Sequence, residues 1–410
     1  MVNECVTDLR FGIYSGETDA KTIRIQNSDD PLPKEGVTMG WQPPINLTTK
    51  FNAPLMFGKP ACYIHYTQNI VYVGFTPGVG PNGRIHQLRL DNNNIWHPKE
   101  LTLSPGAAPA FFEVRAYVHY APSPATQHVV YLGKDNQGLL DNQVHELYAD
   151  DSNDWHHNNL TTAVPGGAKL ALTSPTGYEF RHLQHVVYQG IDSHIYELWH
   201  DSNGWHVNDL TNAPAVAIGP LTARVFTPID TQNITFRGSG GAHIHELWWD
   251  NTGTWRRSDL TVASQTPLTA LVSSDPTNYS FWQQPTQHIN YLGTDGHVHE
   301  LWWDYENGWQ HNDLTFQTGA PPGGLPSGYV FSDQETQHVV YRGNDGHIHE
   351  LWWDNSGWHH NNLTTGAPDA LMAGGDPTGY EATSTPGHGT QHVIFASRDH
   401  HVIELKWTPP

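Results

Sequence analysis

Short runs of β-branched and aromatic residues, separated by turn residues, recur along most of the chain. The clearest copy spans residues 336–365 and reads TQHVVYRGNDGHIHELWWDNSGWHHNNLTT. Within it, HVVY, HIHELWW and WHHNNLT have the composition of β-strands, and the NDG and DNSG segments between them are typical of hairpin turns. A further aromatic run, GYVF at residues 328–331, precedes this copy after a loop rich in Pro and Gly. Each unit is therefore predicted to contain four strands.

This unit occurs seven times. Its Gln-His or Gln-Asn anchor falls at Gln68, Gln127, Gln184, Gln232, Gln287, Gln337 and Gln391, so successive anchors are 48 to 59 residues apart. That period suits one four-stranded propeller blade with its loops, whereas no segment has the sustained 3.6-residue periodicity of helical repeats. The sequence predicts an all-β, seven-bladed β-propeller in which the first strand of each unit is innermost and lines the central channel.

The last copy stops after its third strand, and the missing strand is found at the other end of the chain. Residues 41–49, WQPPINLTT, match the fourth-strand pattern WHHNNLTT. We predict a single propeller domain over residues 1–410. Residues 39–49 form the closing strand of the last blade, residues 50–407 form the seven repeats, and residues 1–38 form an N-terminal extension that fits no repeat. Such a closure removes the two free strand edges of an open array.

The charge of the chain restricts its partners. There are 41 Asp and Glu residues against 20 Lys and Arg, which gives a formal net charge of -21. A nucleic-acid binder normally carries a basic surface, so nucleic acids are not expected as partners. Membrane insertion is not expected either, because no apolar run is long enough to span a bilayer. The oligomeric state stays open.

Neither the N-terminus nor the cysteine content fixes the location of the protein. The first residues lack a basic segment followed by an apolar stretch, so the sequence predicts no signal peptide. A secreted or cell-surface location applies if such a segment has been removed, and a cytoplasmic one otherwise. Cys5 and Cys62 do not form a disulfide framework.

Candidate binding chemistry recurs with the repeat. In six units a Glu on the third strand follows a polar residue on the second, which gives the pairs His128/Glu146, His185/Glu197, Asn233/Glu246, His288/Glu300, His338/Glu350 and His392/Glu404. Because these strands are antiparallel neighbours, the paired side chains can share a face. A carboxylate and a polar donor beside a Trp commonly hold a sugar, whose C–H faces the ring covers. The first unit has Asn69 and Gln87 instead, so we expect it to hold no site.

The phrase ELWWDNSGW, with a polar residue about twelve positions before its Glu, resembles the blades of the fungal and bacterial fucose-binding propeller lectins. The resemblance implies sugar pockets between adjacent blades, with each Glu as a ligand. It also implies stacking by the Trp of the GW turn, at Trp155, Trp205, Trp255, Trp309 and Trp358. The strand-two Arg of that family is replaced here by His or Asn, and the family typically has six blades.

Other functions remain open from the residues alone. The pairs can instead be buried hydrogen bonds that lock strands two and three together. A His opposite a Glu is predicted to have a raised pKa unless burial dominates. The inner strands carry His65, Tyr66, Arg115, Tyr117, His119 and Arg181, a set suited to a polysaccharide lyase acting on uronic acids at the central channel. A protein-interaction scaffold is the third alternative.

The leading hypothesis is a lectin with several equivalent sugar pockets between blades, which binds glycans or glycoconjugates. The sequence does not decide whether the protein is an enzyme, but it favours a function without catalysis. No cofactor and no dedicated metal site are predicted.

Overall fold

The computed structural model describes residues 40–409, apart from residues 122, 151, 212–216, 239–241, 251 and 384–388. The predicted N-terminal extension, residues 1–38, lies outside the described residues, as does Cys5. Cys62 carries a free thiol, and burial raises the pKa of that thiol. Within the described part, no helix is long and apolar enough to cross a membrane.

Seven antiparallel sheets make up this part of the chain, and each corresponds to one sequence unit. The first three blades consist of β3 (Met56–His65), β4 (Thr67–Thr76), β5 (Gly80–Leu90) and β6 (Trp96–Glu100); β7 (Arg115–His119), β8 (Thr126–Lys134), β9 (Leu140–Ala149) and β10 (Trp155–Asn159); and β11 (Thr176–Phe180), β12 (Leu183–Gln189), β13 (Ile195–Asp201) and β14 (Gly204–Asp209).

The fourth to sixth blades have the same order. They consist of β15 (Thr222–Phe226), β16 (Thr231–Arg237), β17 (Ile244–Trp249) and β18 (Trp255–Asp259); β19 (Thr277–Phe281), β20 (Thr286–Leu292), β21 (Val298–Asp304) and β22 (Gly308–Asp313); and β23 (Ser327–Phe331), β24 (Thr336–Arg342), β25 (Ile348–Asp354) and β26 (Gly357–Asn362).

The seventh blade combines both ends of the described chain. Its β27 (Thr378–Ala382), β28 (Thr390–Ala396) and β29 (Val402–Thr408) are completed by β1 (Gly40–Trp41) and β2 (Ile45–Asn46). Gly40 pairs with Thr408, and Ile45 pairs with Glu404, so both short strands lie antiparallel to β29. Each inner strand contacts the inner strands of the two adjacent blades, and β27 contacts β3, which closes the ring. The predicted seven-bladed propeller and its closure by the N-terminal strand are confirmed.

The repeated Asn-Leu-Thr and Asp-Leu-Thr phrases end the fourth strands and start short helical turns. These helices are α1 (Leu47–Phe51), α2 (Leu160–Ala163), α3 (Leu260–Ala263) and α4 (Leu314–Thr318). Separate 3-10 turns elsewhere in the described chain are Thr227–Ile229, Leu268–Ala270, Ser332–Gln334 and Asp369–Leu371. Asn159 caps α2 by accepting a hydrogen bond from the backbone of Thr162. The hydroxyl of Thr161 accepts from the amide of Val144 within the third strand. The phrase therefore has a structural role in joining strands three and four.

The apolar core lies mainly between neighbouring blades, where the first strands supply a Tyr. The hydroxyl of Tyr329 donates to Gln391 of the next blade at 2.9 Å, and Tyr178 donates to Gln232 at 2.8 Å. Gly379 makes this packing possible, because a Cβ there would lie 2.3 Å from the Tyr329 ring. These contacts explain why Gln anchors and Gly-Tyr dipeptides recur with the blade.

Candidate functional site

Five of the six predicted polar pairs are buried His–Glu hydrogen bonds. The His Nδ1 donates to the Glu Oε1 at 2.8 to 2.9 Å in the pairs His128/Glu146, His185/Glu197, His288/Glu300, His338/Glu350 and His392/Glu404. In four of them, a Thr hydroxyl lies 2.7 to 2.8 Å from the second ring nitrogen. The structure thus brings each pair together as the sequence predicted, with both side chains removed from solvent.

The fifth blade illustrates how completely such a carboxylate is occupied. Oε1 of Glu300 accepts hydrogen bonds from His288 at 2.8 Å and from the Tyr279 hydroxyl at 3.3 Å. Oε2 accepts from Asn312 of the fourth strand at 3.1 Å. Asn208 and Asn361 contact Glu197 and Glu350 in the same way. These carboxylates are saturated within the blade, which is the arrangement expected of a strand lock.

Glu146 of the second blade is buried in the same manner. The side chain of Glu146 is 3% exposed, and its Oε1 accepts hydrogen bonds from His128 at 2.8 Å and from the Tyr117 hydroxyl at 3.5 Å. Asn158 pairs with Glu146 across β9 and β10, at the position where Asn312 pairs with Glu300. Oε1 of Glu146 is therefore held by the first and second strands of its own blade, and its role as a sugar ligand stays a prediction.

The carboxylate of the seventh blade is also engaged on both oxygens. Oε1 of Glu404 accepts from His392 at 2.8 Å, and Oε2 accepts from the Trp96 indole of the first blade at 3.4 Å. This second contact crosses the interface where the ring closes. Both oxygens of Glu404 therefore have a donor, and its role as a sugar ligand stays a prediction.

Burial opposes the predicted rise in the histidine pKa. At His392, burial lowers the pKa, and the nearby Glu404 only partly offsets this effect. The raised pKa was expected only if burial did not dominate, and at His392 burial does dominate. The imidazole is buried together with its partner, so the loss of hydration outweighs the attraction of the carboxylate.

The fourth blade departs from this pattern. Asn233 stands where the other pairs have His, and its amide donates to Glu246 Oε1 at 3.1 Å. Arg224 occupies the place of the inner-strand Tyr, and its Nη2 donates to the same oxygen at 2.7 Å. Arg224 also donates to Gln287 of the fifth blade, with Nε 3.1 Å from Oε1. Burial raises the pKa of Glu246 and lowers that of Arg224, while each charge opposes the shift of the other.

A small cavity lies above this ion pair, between the fourth and fifth blades. We call it the Trp pocket, and its volume is about 180 Å³. It is lined by Ile229, Thr231, Asn233, Glu246, Trp248, Ser258, Gln287, Trp303 and Trp309. That volume equals roughly six water molecules, which is comparable with one pyranose ring. The pocket therefore presents a carboxylate, two amides and three indole rings in a space of monosaccharide size.

The Trp pocket has free space beside its carboxylate, whereas in the third, fifth and sixth blades an Asn side chain occupies the equivalent position. Ser258 pairs with Glu246 across β17 and β18, at the position where Asn312 pairs with Glu300. The Ser hydroxyl accepts from the Trp248 indole at 3.3 Å, and the described hydrogen bonds of Glu246 go to Oε1. A shorter side chain in place of Asn thus leaves space beside the carboxylate.

Arg224 is the functional candidate that sequence reasoning missed. The sequence places no Arg on the second strands at the position of the paired His, but the structure supplies one from the first strand of the fourth blade. The sequences of the first strands contain the signal that could have identified Arg224. The first strands read TGYEF, TNYSF, SGYVF and TGYEA in other blades, whereas the fourth blade reads TARVF. A cation in place of a buried Tyr needs a carboxylate partner, and Glu246 lies within reach.

The Trp residues of the GW turns have different environments. Trp155 and Trp205 are buried in the core, and Trp255, Trp309 and Trp358 pack at the edges of apolar clusters. Of these five, Trp309 lines the Trp pocket. The other two indoles of that pocket, Trp248 and Trp303, come from the third strands.

The six candidate lyase residues lie in separate environments. Arg115 begins β7 beside Glu113, while His119 ends the same strand and contacts the backbone of His182. Tyr117 stacks on His128 of the same blade. The ring of His65 is tilted against that of the exposed Tyr66, and His65 contacts the Ala125 carbonyl, while Arg181 pairs with Asp230. These contacts do not join the residues into one acid–base constellation.

Cavities also occur beside the first blade, where the sequence predicted no site. One of about 450 Å³ is lined by Gln87, Arg89, Asp91, His97 and Lys99, among others. Most of its lining residues carry polar or charged side chains, and no Trp belongs to its lining. The interface cavities among the described blades are therefore not equivalent.

The comparisons with known proteins concern the fold. No family model and no curated protein sequence matches the chain. Solved structures do match. Aleuria aurantia lectin in complex with Fucα1-6GlcNAc aligns at a TM-score of 0.50 and 15% identity, over 77% of this chain and 99% of the lectin.

Two further structures align over most of their length. AofleA from Arthrobotrys oligospora has a TM-score of 0.48 and 14% identity over 81% of this chain and 92% of its own. A protein of unknown function from Dyadobacter fermentans has a TM-score of 0.48 and 11% identity over 88% and 96%. The likeness to Aleuria aurantia lectin at a TM-score of 0.50 shows a shared propeller fold. Aleuria aurantia lectin is described as a six-bladed propeller with a novel mode of fucose recognition.

Proposed function

We propose that the protein is a lectin whose principal sugar site is the Trp pocket between the fourth and fifth blades. The observation that carries this proposal is the presence of a carboxylate, Glu246, at the base of a cavity with three Trp side chains in its wall. Sugar recognition needs fixed hydrogen-bond acceptors for hydroxyls and aromatic faces for C–H groups. The fucose-binding lectins among the structural neighbours are consistent with this function.

The sequence suggested several equivalent sugar pockets, and this proposal reduces them to one principal pocket. In the third, fifth and sixth blades an Asn occupies the second carboxylate oxygen, so a sugar hydroxyl would have to displace an existing hydrogen bond. In the fourth blade Ser258 is too short to do so. We therefore assign the sugar-binding role to Glu246 and Asn233, and the strand-locking role to the five His–Glu pairs, of which His128 with Glu146 is the first along the chain.

A glycan array tests this assignment with two matched variants. Glu246→Gln should abolish binding, because it removes the charged acceptor from the Trp pocket. Glu350→Gln makes the same change at a carboxylate whose two oxygens already accept hydrogen bonds from His338 and Asn361, and it should leave binding unchanged. Equal losses in both variants would support equivalent pockets instead. If the wild-type protein binds no glycan, the lectin proposal fails and a protein-interaction scaffold becomes the better hypothesis.

A further inference from the structure

A second cavity lies at the centre of the ring, on the side opposite the Trp pocket. Pro220, which precedes β15, lines this axial cavity, whereas Ile229 and Thr231, which follow β15, line the Trp pocket. The five residues of β15 separate the two by roughly 16 Å. The axial cavity has a volume of about 450 Å³ and receives residues from the first six blades. That volume falls within the range of small-ligand sites.

Two cations with unused donors face this cavity. The ammonium of Lys59 donates to the Pro326 carbonyl at 3.3 Å, and Arg115 Nη2 donates to Glu113 at 3.4 Å. Arg115 Nε is buried and has no hydrogen-bond partner in the described part of the chain. An ammonium offers three donors and a guanidinium five. Burial, with Arg115 nearby, lowers the pKa of Lys59 to about 8.

Carboxylates lie on the same wall. Asp275 lines the axial cavity, and its Oδ1 is buried with no hydrogen bond among the described residues, although Arg237 lies 3.7 Å away. Asp376, close to Lys59, has a similarly unbonded Oδ1. Burial raises the pKa of both Asp275 and Asp376. The axial cavity is thus lined by two cations, Lys59 and Arg115, and by two carboxylates, Glu113 and Asp275.

The positive and negative side chains that line the axial cavity restrict the kind of ligand that can bind there. A multivalent inorganic anion would be repelled by Glu113 and Asp275, and a metal ion would be repelled by Lys59 and Arg115. A molecule with one carboxylate and neighbouring hydroxyl or ammonium donors satisfies both sets. Phe57 and Phe112 add apolar surface for its carbon atoms.

We propose that the axial cavity is a second ligand site, which binds one small carboxylate-bearing molecule with adjacent hydrogen-bond donors. The carboxylate contacts Arg115 and Lys59, and the donors contact Asp275. Acidic monosaccharides and free α-amino acids share this chemistry. The site is independent of the Trp pocket, so its existence does not depend on the lectin proposal.

Isothermal titration with four compounds at up to about 10 mM tests the site, since this range detects millimolar affinity. The compounds are D-glucuronate, N-acetylneuraminate, L-alanine and sulfate. We expect one equivalent of a carboxylate to bind and sulfate not to bind. Binding of the first two compounds identifies an acidic sugar as the ligand class, and binding of alanine identifies an amino acid.

Three variants decide where the ligand binds. Arg115→Gln and Lys59→Met should each weaken binding at least tenfold, whereas Arg84→Gln should not change it. Arg84 is an exposed residue paired with Glu100 at the outer edge of the first blade. Thermal unfolding of each variant verifies that it is folded. The proposal is overturned if none of the carboxylates binds, if sulfate binds equally well, or if binding survives in both cavity variants.

Discussion

Nη2 of Arg224 lies 2.7 Å from Oε1 of Glu246, and both side chains are almost completely buried. In the five His–Glu pairs, both the imidazole and the carboxyl group have a neutral form, so a pair can be buried without two opposite charges. This pair instead joins a guanidinium, which stays protonated in proteins, to a carboxylate. The fourth blade therefore has a buried ion pair beside the Trp pocket, where we propose that a sugar binds.

The ion pair leads to a prediction about stability. Arg224→Met should lower the free energy of unfolding by about 3–5 kcal/mol, because it leaves the Glu246 carboxylate buried without its partner. The double variant Arg224→Met/Glu246→Leu should recover most of that loss, since neither charge remains. Chemical denaturation of the three proteins measures both effects. A double variant as unstable as the single one would contradict this account of the pair.

Closing the Trp pocket without disturbing the ion pair gives a second prediction. Ser258→Asn should place an amide against Oε2 of Glu246, as Asn312 is placed against Glu300. Sugar affinity should fall at least tenfold, while the free energy of unfolding should change by no more than about 0.5 kcal/mol. Asn312→Ser in the fifth blade is the matched control and should leave sugar binding intact. Undiminished binding by Ser258→Asn would show that the sugar lies elsewhere.

Ring closure is a third testable feature. Removing residues 1–48 deletes β1 and β2 and exposes the edge of β29, so we expect aggregation or a large loss of thermal stability. In the control variant, residues 40–52 are placed after residue 409 instead of at the N-terminus. There they can form a hairpin with β29. Size-exclusion chromatography should recover a monodisperse species only for the rearranged chain. A monodisperse deletion variant with an unchanged melting temperature would refute the closure argument.

Acid sensitivity follows from buried histidines. Burial lowers the pKa of His86, His119, His157, His200, His245, His311, His349, His360 and His392. Above the unfolded pKa of about 6.5 these residues are neutral in both states. As pH falls below it, the unfolded chain binds more protons, so stability should decrease.

Denaturation at pH 7.5 and pH 5.5 measures this effect. His392→Gln should reduce the difference in the free energy of unfolding between the two pH values. His97→Gln changes an exposed residue beside Asp91 and serves as the control. Stability that rises on acidification would contradict the direction of these shifts.

The fold could be predicted from sequence because its signals are local and repeated. Hairpin turns, aromatic strands and the Gln anchor recur in each blade, and the match between residues 41–49 and the fourth-strand pattern revealed the closure. The repeat was a weaker guide to the site. A pattern shared by most blades reports what most blades need for folding, and the carboxylates of Glu146 and Glu350 are buried in hydrogen bonds to His within their own blades.

The binding candidate is found where the repeat is broken. Tyr is replaced by Arg224, His by Asn233, and Asn by Ser258, and these positions lie on three different strands of one blade. Their proximity depends on the register between strands and on the interface with the next blade. Neither is visible in a linear pattern, so the sequence indicated the type of chemistry but not the blade that carries it.

The most direct test of the central claim is the number of sugar molecules that bind to one chain. Isothermal titration with the best monosaccharide from the glycan array measures this stoichiometry. We predict one equivalent per chain for the wild-type protein and none for Ser258→Asn. A stoichiometry near the number of His–Glu pairs, or one equivalent that persists in Ser258→Asn, would contradict the assignment of the Trp pocket as the sugar site.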